Sequence, residues 1–228
     1  FLVFAWLIIP VFASMPFMVS GELTKFTDAY FEATSAFTTS GATLLSNSAL
    51  SPKTILFWRS LLQWEGGIFL FVLAVAIVPL SAIGGSELFR SALPHGEKEG
   101  FVSRINTAFK PLATIYIGLT LLCLILLNLT NMTFFDAMST SMATLSSGGF
   151  TNHANFGVNS FGNVAEFILI PFMVIAASNL TYHWSFMTTG KLRAYRNDRE
   201  IKYFAMIIIF AAIIIFLSLT GEDGTSHM

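Results

Sequence analysis

The chain has 228 residues, 54% of them hydrophobic and only 11% charged, with 24 Phe against 12 Lys+Arg and 13 Asp+Glu. A formal charge of −1 gives no footprint for nucleic acid, and a single cysteine, Cys123, allows no internal disulfide. A soluble enzyme, a disordered chain and a disulfide-built secreted scaffold are all disfavoured, and a mean hydropathy of +0.71 makes lipid the expected solvent.

A bilayer core needs about 20 mainly apolar residues per helix. The first such run is Phe1–Val19, which opens without Met or a basic leader and reads as the remainder of a truncated helix, not a signal peptide. Further runs follow at Phe57–Ile83, Pro111–Leu129, Phe167–Tyr182 and Tyr203–Leu219. Between them, Gly84–Lys110 and Gly190–Lys202 hold nine of the twelve basic residues, which assigns both to the cytoplasm by the positive-inside rule. Ser20–Arg59, Thr130–Ala165 and the acidic tail then face outward, and the expected protein is multi-pass.

Each outward loop carries a short helical segment, Phe26–Phe37 and Thr133–Thr144, too short to span and suited to re-entry from one side. Thr27 or Thr133 is the expected cap, with Asp28 or Asp136 complementing the helix N-terminus. A hydroxyl-and-glycine string follows each: Thr38-Thr39-Ser40-Gly41-Ala42-Thr43, and Leu145-Ser146-Ser147-Gly148-Gly149-Phe150. Aligned on Gly41 and Gly148, two hydroxyl residues precede the glycine in both copies and a small residue, Ala42 or Gly149, follows. The expected unit is span, re-entrant helix, filter strand, span. It occupies residues 1–83 and, in parallel orientation, 111–189, with cytoplasmic loops 84–110 and 190–202. Residues 203–228 read as the first helix of a third copy and an outer tail.

Such a unit suits a cation. An ion stripped of water needs replacement oxygens, which extended main chain supplies in layers and which Ser and Thr hydroxyls supplement. Glycine admits the backbone angles that turn consecutive carbonyls one way, and the preceding helix aims its negative end at the path. Asp28, Glu32 and Asp136 either stabilise the short helices or raise cation concentration at the pore mouth. Glu65, the acidic residue well inside a span, is read as an ion-path group or as an interfacial carboxylate that pairs with Arg59 or caps a neighbouring loop. No HExxH or GxSxG signature occurs, so no catalytic residue is assigned.

These residues resemble the Trk/Ktr/HKT superfamily of potassium transporters, most closely the bacterial TrkH-type membrane subunit. The resemblance rests on residues 27–32 (TDAYFE), 38–43 (TTSGAT), 57–64 (FWRSLLQW), Gly66-Gly67, 72–79 (VLAVAIVP), Phe135-Asp136-Ala137 and 144–150 (TLSSGGF). Glu65 and Phe69 depart from the family pattern of an apolar residue and a further glycine. The resemblance implies an all-α membrane protein with four pore repeats around a pseudo-fourfold axis, of which two are present. By position, Thr39, Ser40, Gly41, Ala42, Ser146, Ser147, Gly148 and Gly149 would line the filter and hold K+, with no covalent cofactor. It further implies an inner-membrane location, a homodimer and a cytoplasmic nucleotide-binding regulatory subunit. A sodium-permeable or mixed pathway is the alternative. Outside transport stand a non-conducting structural subunit and an intramembrane enzyme using Glu65, Asp136 and a histidine as acid–base groups.

Overall fold

The computed structural model describes residues 2–45, 50–77, 101–153, 162–178, 180–190 and 199–222. Among them are nine α-helices: α1 (Leu2–Ala13), α2 (Met15–Val19), α3 (Phe26–Phe37), α4 (Lys53–Ile77), α5 (Phe101–Asn128), α6 (Phe134–Leu145), α7 (Asn163–Ala177), α8 (Leu180–Thr189) and α9 (Arg199–Glu222). No β-strand occurs among the described residues. The expected filter strands are irregular segments following α3 and α6.

Residues 1–181 form one compact unit. Its centre is α4, which packs on α3 from its own repeat and on α5 and α6 from the next. The α3 face that makes this fit carries Ala29, Ala33 and Ala36, all fully buried, whose small side chains let neighbouring backbones approach closely. Phe17, Leu23, Ile55 and Leu62 close the core around them, and Phe150 of the second repeat joins the same cluster. At Gly66 a Cβ would collide with the carbonyl oxygen of Phe37, and at Gly67 it would lie 2.5 Å from the Tyr116 hydroxyl. The glycine pair therefore lets α4 pass against the end of α3 on one side and against α5 on the other.

Aromatic side chains with polar ends tie the helices through main-chain and hydroxyl oxygens that lipid cannot satisfy. Trp58 Nε1 donates to Ala13 O at 3.0 Å, and the Tyr30 hydroxyl to Leu7 O at 3.1 Å. Across the repeat boundary, the Tyr116 hydroxyl donates to Trp64 O at 3.0 Å and Trp64 Nε1 to Thr120 Oγ1 at 3.1 Å. Phe69, one of the two departures from the family pattern, packs at tilted angles against Trp6 and Phe37 with centroids 6.2 and 5.4 Å away.

Several span boundaries differ from expectation. The first run breaks at Ser14, which separates α1 from α2. α4 starts at Lys53 and α5 at Phe101, so the last ten residues of the expected 84–110 loop are helical, and Pro111 lies inside α5. The fourth run ends at Ser178, whose extended backbone (φ −90°, ψ 163°) separates α7 from α8. The basic stretches 84–100 and 191–198 and the tail 223–228, on which the topology expectation leans, lie outside the described residues.

The second unit, residues 182–228, contains α9. Its apolar side chains, from Tyr203 to Leu217, are exposed all round the helix, as on a helix solvated by lipid. Ile201–Ser218 here and Phe109–Asn128 in the first unit are long and apolar enough to cross a bilayer.

Candidate functional site

The ends of the two short helices and the segments after them match residue for residue in their backbone hydrogen bonding. The Thr38 amide donates to Thr34 O, that of Thr39 to Ala36 O and that of Ser40 to Ser35 O. The amides of Ser146, Ser147 and Gly148 donate to Met142 O, Thr144 O and Ala143 O in the same pattern. Backbone angles repeat as well: Thr39 and Gly41 have φ of 56° and 76°, and Ser147 and Gly149 have 55° and 75°. The structural equivalence is therefore Thr39–Ala42 with Ser147–Phe150. Gly41 corresponds to Gly149, one residue beyond the pairing that spacing suggests. Ser146, expected among the lining residues, closes α6 and is the counterpart of Thr38.

Left-handed φ is uncommon for a residue other than glycine and strained for β-branched Thr39, so this backbone is held in place by its surroundings. Gly41 has no room for a side chain, since a Cβ there would collide with Gly148 O. That contact brings the two segments together. Behind the second one stands Gln63 of α4, whose side chain fills the space a Gly148 Cβ would need and whose Oε1 accepts from the Phe150 amide at 3.3 Å.

The first segment is tied by Glu32. Its carboxylate accepts from the Thr43 hydroxyl at 2.7 Å and the Leu44 amide at 2.8 Å, and pairs with Arg59 Nη1 at 3.5 Å. Glu32 is fully buried, so the expected alternatives for it, helix-end stabilisation and cation enrichment at a mouth, are replaced by an internal anchoring role. Glu65 is exposed and is not the partner of Arg59. Six residues along a helix turn Glu65 about a third of a revolution off the Arg59 face, whereas α3 delivers Glu32 directly.

The helix N-termini also differ from each other. Thr133 caps α6 as expected, accepting from the Asp136 amide at 3.2 Å and donating to the Asp136 carboxylate at 2.7 Å. Thr27 does not cap α3; it lies inside the helix, and the N-cap is Lys25 with no side-chain bond. Its hydroxyl donates to Asp28 instead, at 3.2 Å on the exposed side. The Asp136 carboxylate is buried and also accepts from Asn152 at 3.2 Å, with His153 Nε2 at the same distance. Burial pushes the Asp136 carboxyl up. The bonds from Thr133 and Asn152, with the charge and bond of His153, outweigh that and hold it below its ordinary value.

Gln63 and Asn152 escaped assignment from sequence, while Thr43 entered only as part of its string and Arg59 only as a partner for Glu65. The available signal was the spacing of Arg59 and Gln63, four residues apart and so on one face of an apolar helix.

An α-helical membrane protein built on repeated short helices, each ending in a hydroxyl–glycine turn, is the class that this fold defines. A family model described as TrkH, cation transport protein, matches residues 1–221, and the chain belongs to that family. It is 37% identical over 219 residues to the Trk system potassium uptake protein TrkH of Vibrio parahaemolyticus, covering 94% of this chain and 45% of that protein. Identity is 31% over 216 residues to the Trk system potassium uptake protein TrkG of Escherichia coli, with 93% and 44% covered. The crystal structure of the potassium transporter TrkH from Vibrio parahaemolyticus matches with a TM-score of 0.84 and 34% identity, over 99% of this chain and 45% of that one. The chain thus spans slightly under half the length of the relatives it matches.

Proposed function

We propose that this chain supplies two of the segments that line a potassium path through the inner membrane. The observation that carries the reading is the pair of segments 39–42 and 147–150, with the same alternation of left-handed φ, meeting where Gly41 abuts Gly148 O. In a β-strand, successive carbonyls point opposite ways. Reversing the sign of φ at every second residue turns them to one side instead, which is the arrangement that replaces an ion's hydration shell.

Each string follows the C-terminus of a short helix, whose partial negative charge of about −0.5 e favours a cation there. In the structural register, the lining residues are Thr39, Ser40, Gly41 and Ala42, with Ser147, Gly148, Gly149 and Phe150 from the second repeat. K+ is the transported substrate, consistent with the names of the TrkH and TrkG relatives. The resemblance noted in the sequence adds, as part of this proposal, a homodimer served by a cytoplasmic nucleotide-binding subunit and a pore of four such repeats.

The test is flux. The intact protein in liposomes is expected to take up K+, and Gly41→Asp, which sets a carboxylate against Gly148 O, is expected to abolish uptake. Folded wild-type protein that moves no K+ would sink the reading. Competition between K+ and Na+ separates it from a mixed cation path.

A further inference from the structure

We propose that Arg59 is a positioning residue for ion discrimination, its guanidinium binding the first segment to the second across the repeat boundary. This rests on the ion-path reading above. One arm of the guanidinium, Nη1, lies 3.5 Å from Glu32 Oε1 and donates to Thr43 Oγ1 at 3.3 Å. The other arm, Nη2, donates to Thr151 O at 2.6 Å, a residue of the second repeat. Its flat face lies over the Phe150 ring at 4.4 Å. A single side chain therefore grips the chain just past Ala42 and just past Phe150, the ends of the two proposed lining segments.

Gln63 extends the grip one turn along α4, holding the Phe150 amide and backing Gly148. Helix α4 of the first repeat thus braces the segment of the second. Among the described residues the device occurs once: the residue equivalent to Glu32 on α6 is Thr140, which brings no carboxylate.

A stability role explains this poorly. Arg59 and Glu32 are 1% and 0% exposed, and a buried ion pair gains little over well-packed apolar side chains. What a guanidinium adds is geometry, because its planar fork fixes two acceptors at set directions, whereas an ammonium acts as a point charge. Discrimination between alkali cations depends on the number and field of carbonyls offered at each layer. Arg59 sets the separation of the two segments, and through it those layers.

The experiment measures K+ and Na+ uptake separately by the intact protein in liposomes. It compares wild type with Arg59→Lys, which keeps the charge but loses the fork, and with Glu32→Gln/Arg59→Gln, which leaves no buried charge unpaired. The K+:Na+ uptake ratio is expected to fall about tenfold in both, equivalent to ~1.4 kcal/mol of discrimination, while both variants still fold. A wild-type ratio in both overturns the proposal. Failure of both to fold overturns it too, assigning the pair to stability alone. If wild type carries neither ion, the ion-path reading falls, and with it the discrimination role. The brace is then judged by amide exchange at Leu44 and Phe150, where unchanged protection in Arg59→Lys overturns it as well.

Discussion

The carbonyl oxygen of Gly148 occupies the place that a side chain on Gly41 would take. Two segments that are remote in sequence thus approach each other backbone to backbone, with no room for a side chain between them. Gly41 also has φ of +76°, while Gly149 has φ of +75° with nothing within 4 Å of the place its Cβ would occupy. Gly41→Ala therefore meets both a steric and a conformational obstacle, and Gly149→Ala only the second, worth ~1–2 kcal/mol. Melting of the intact protein in detergent should fall more for Gly41→Ala. Equal losses would mean that the Gly41–Gly148 contact is not formed.

Glu32 and Glu65 lie on neighbouring helices and would respond in opposite ways to neutralisation. Glu32→Gln strands the Arg59 charge in a buried site, at a cost of ~3–5 kcal/mol. Glu65→Gln alters an exposed side chain and should stay within about 0.5 kcal/mol of wild type. Thermal unfolding of the two variants, side by side, checks the assignment; a large loss for Glu65→Gln contradicts it.

The two threonines at the starts of the short helices give a second such pair. Thr133→Ala removes a formed cap and should destabilise by ~1 kcal/mol. Thr27→Ala removes an exposed hydroxyl already inside the helix, and its effect should be within about 0.5 kcal/mol. Comparable losses at both positions would show that Thr27 caps after all.

Asp136 makes stability depend on pH in a defined direction. Its carboxyl sits below the ordinary value when folded, so its contribution is present above the unfolded value of about 3.9. That contribution is lost as pH falls through the lower folded value. Asp136→Asn should melt below wild type at neutral pH, by the equivalent of ~1–2 kcal/mol, and the gap should close in acid. A gap that persists undiminished at low pH would show that the ionised carboxylate is not what stabilises the site.

Much of the architecture was legible in the residues. The first short helix occupies Phe26–Phe37 as expected, and the second is displaced by only one residue, to Phe134–Leu145. Their small and hydroxyl residues, flanked by apolar spans, leave few other structures open in a membrane. The register between the repeats was not legible. In Gly148-Gly149 both residues tolerate left-handed φ, and only the point at which α6 ends selects the second of them.

Sequence alone pointed to lipid as the solvent and to the repeated short helix with its hydroxyl–glycine string, because composition, hydropathy runs and glycine-bearing strings are local properties of the chain. Tertiary structure decided which carboxylate meets Arg59 and which carbonyl receives its second arm. Those partners come from α3 and from the segment after α6, brought to one face of α4 by the packing of small side chains. Proximity along the chain pointed to Glu65, but a helix turns that residue off the face, and the buried charge is met only by what packing delivers.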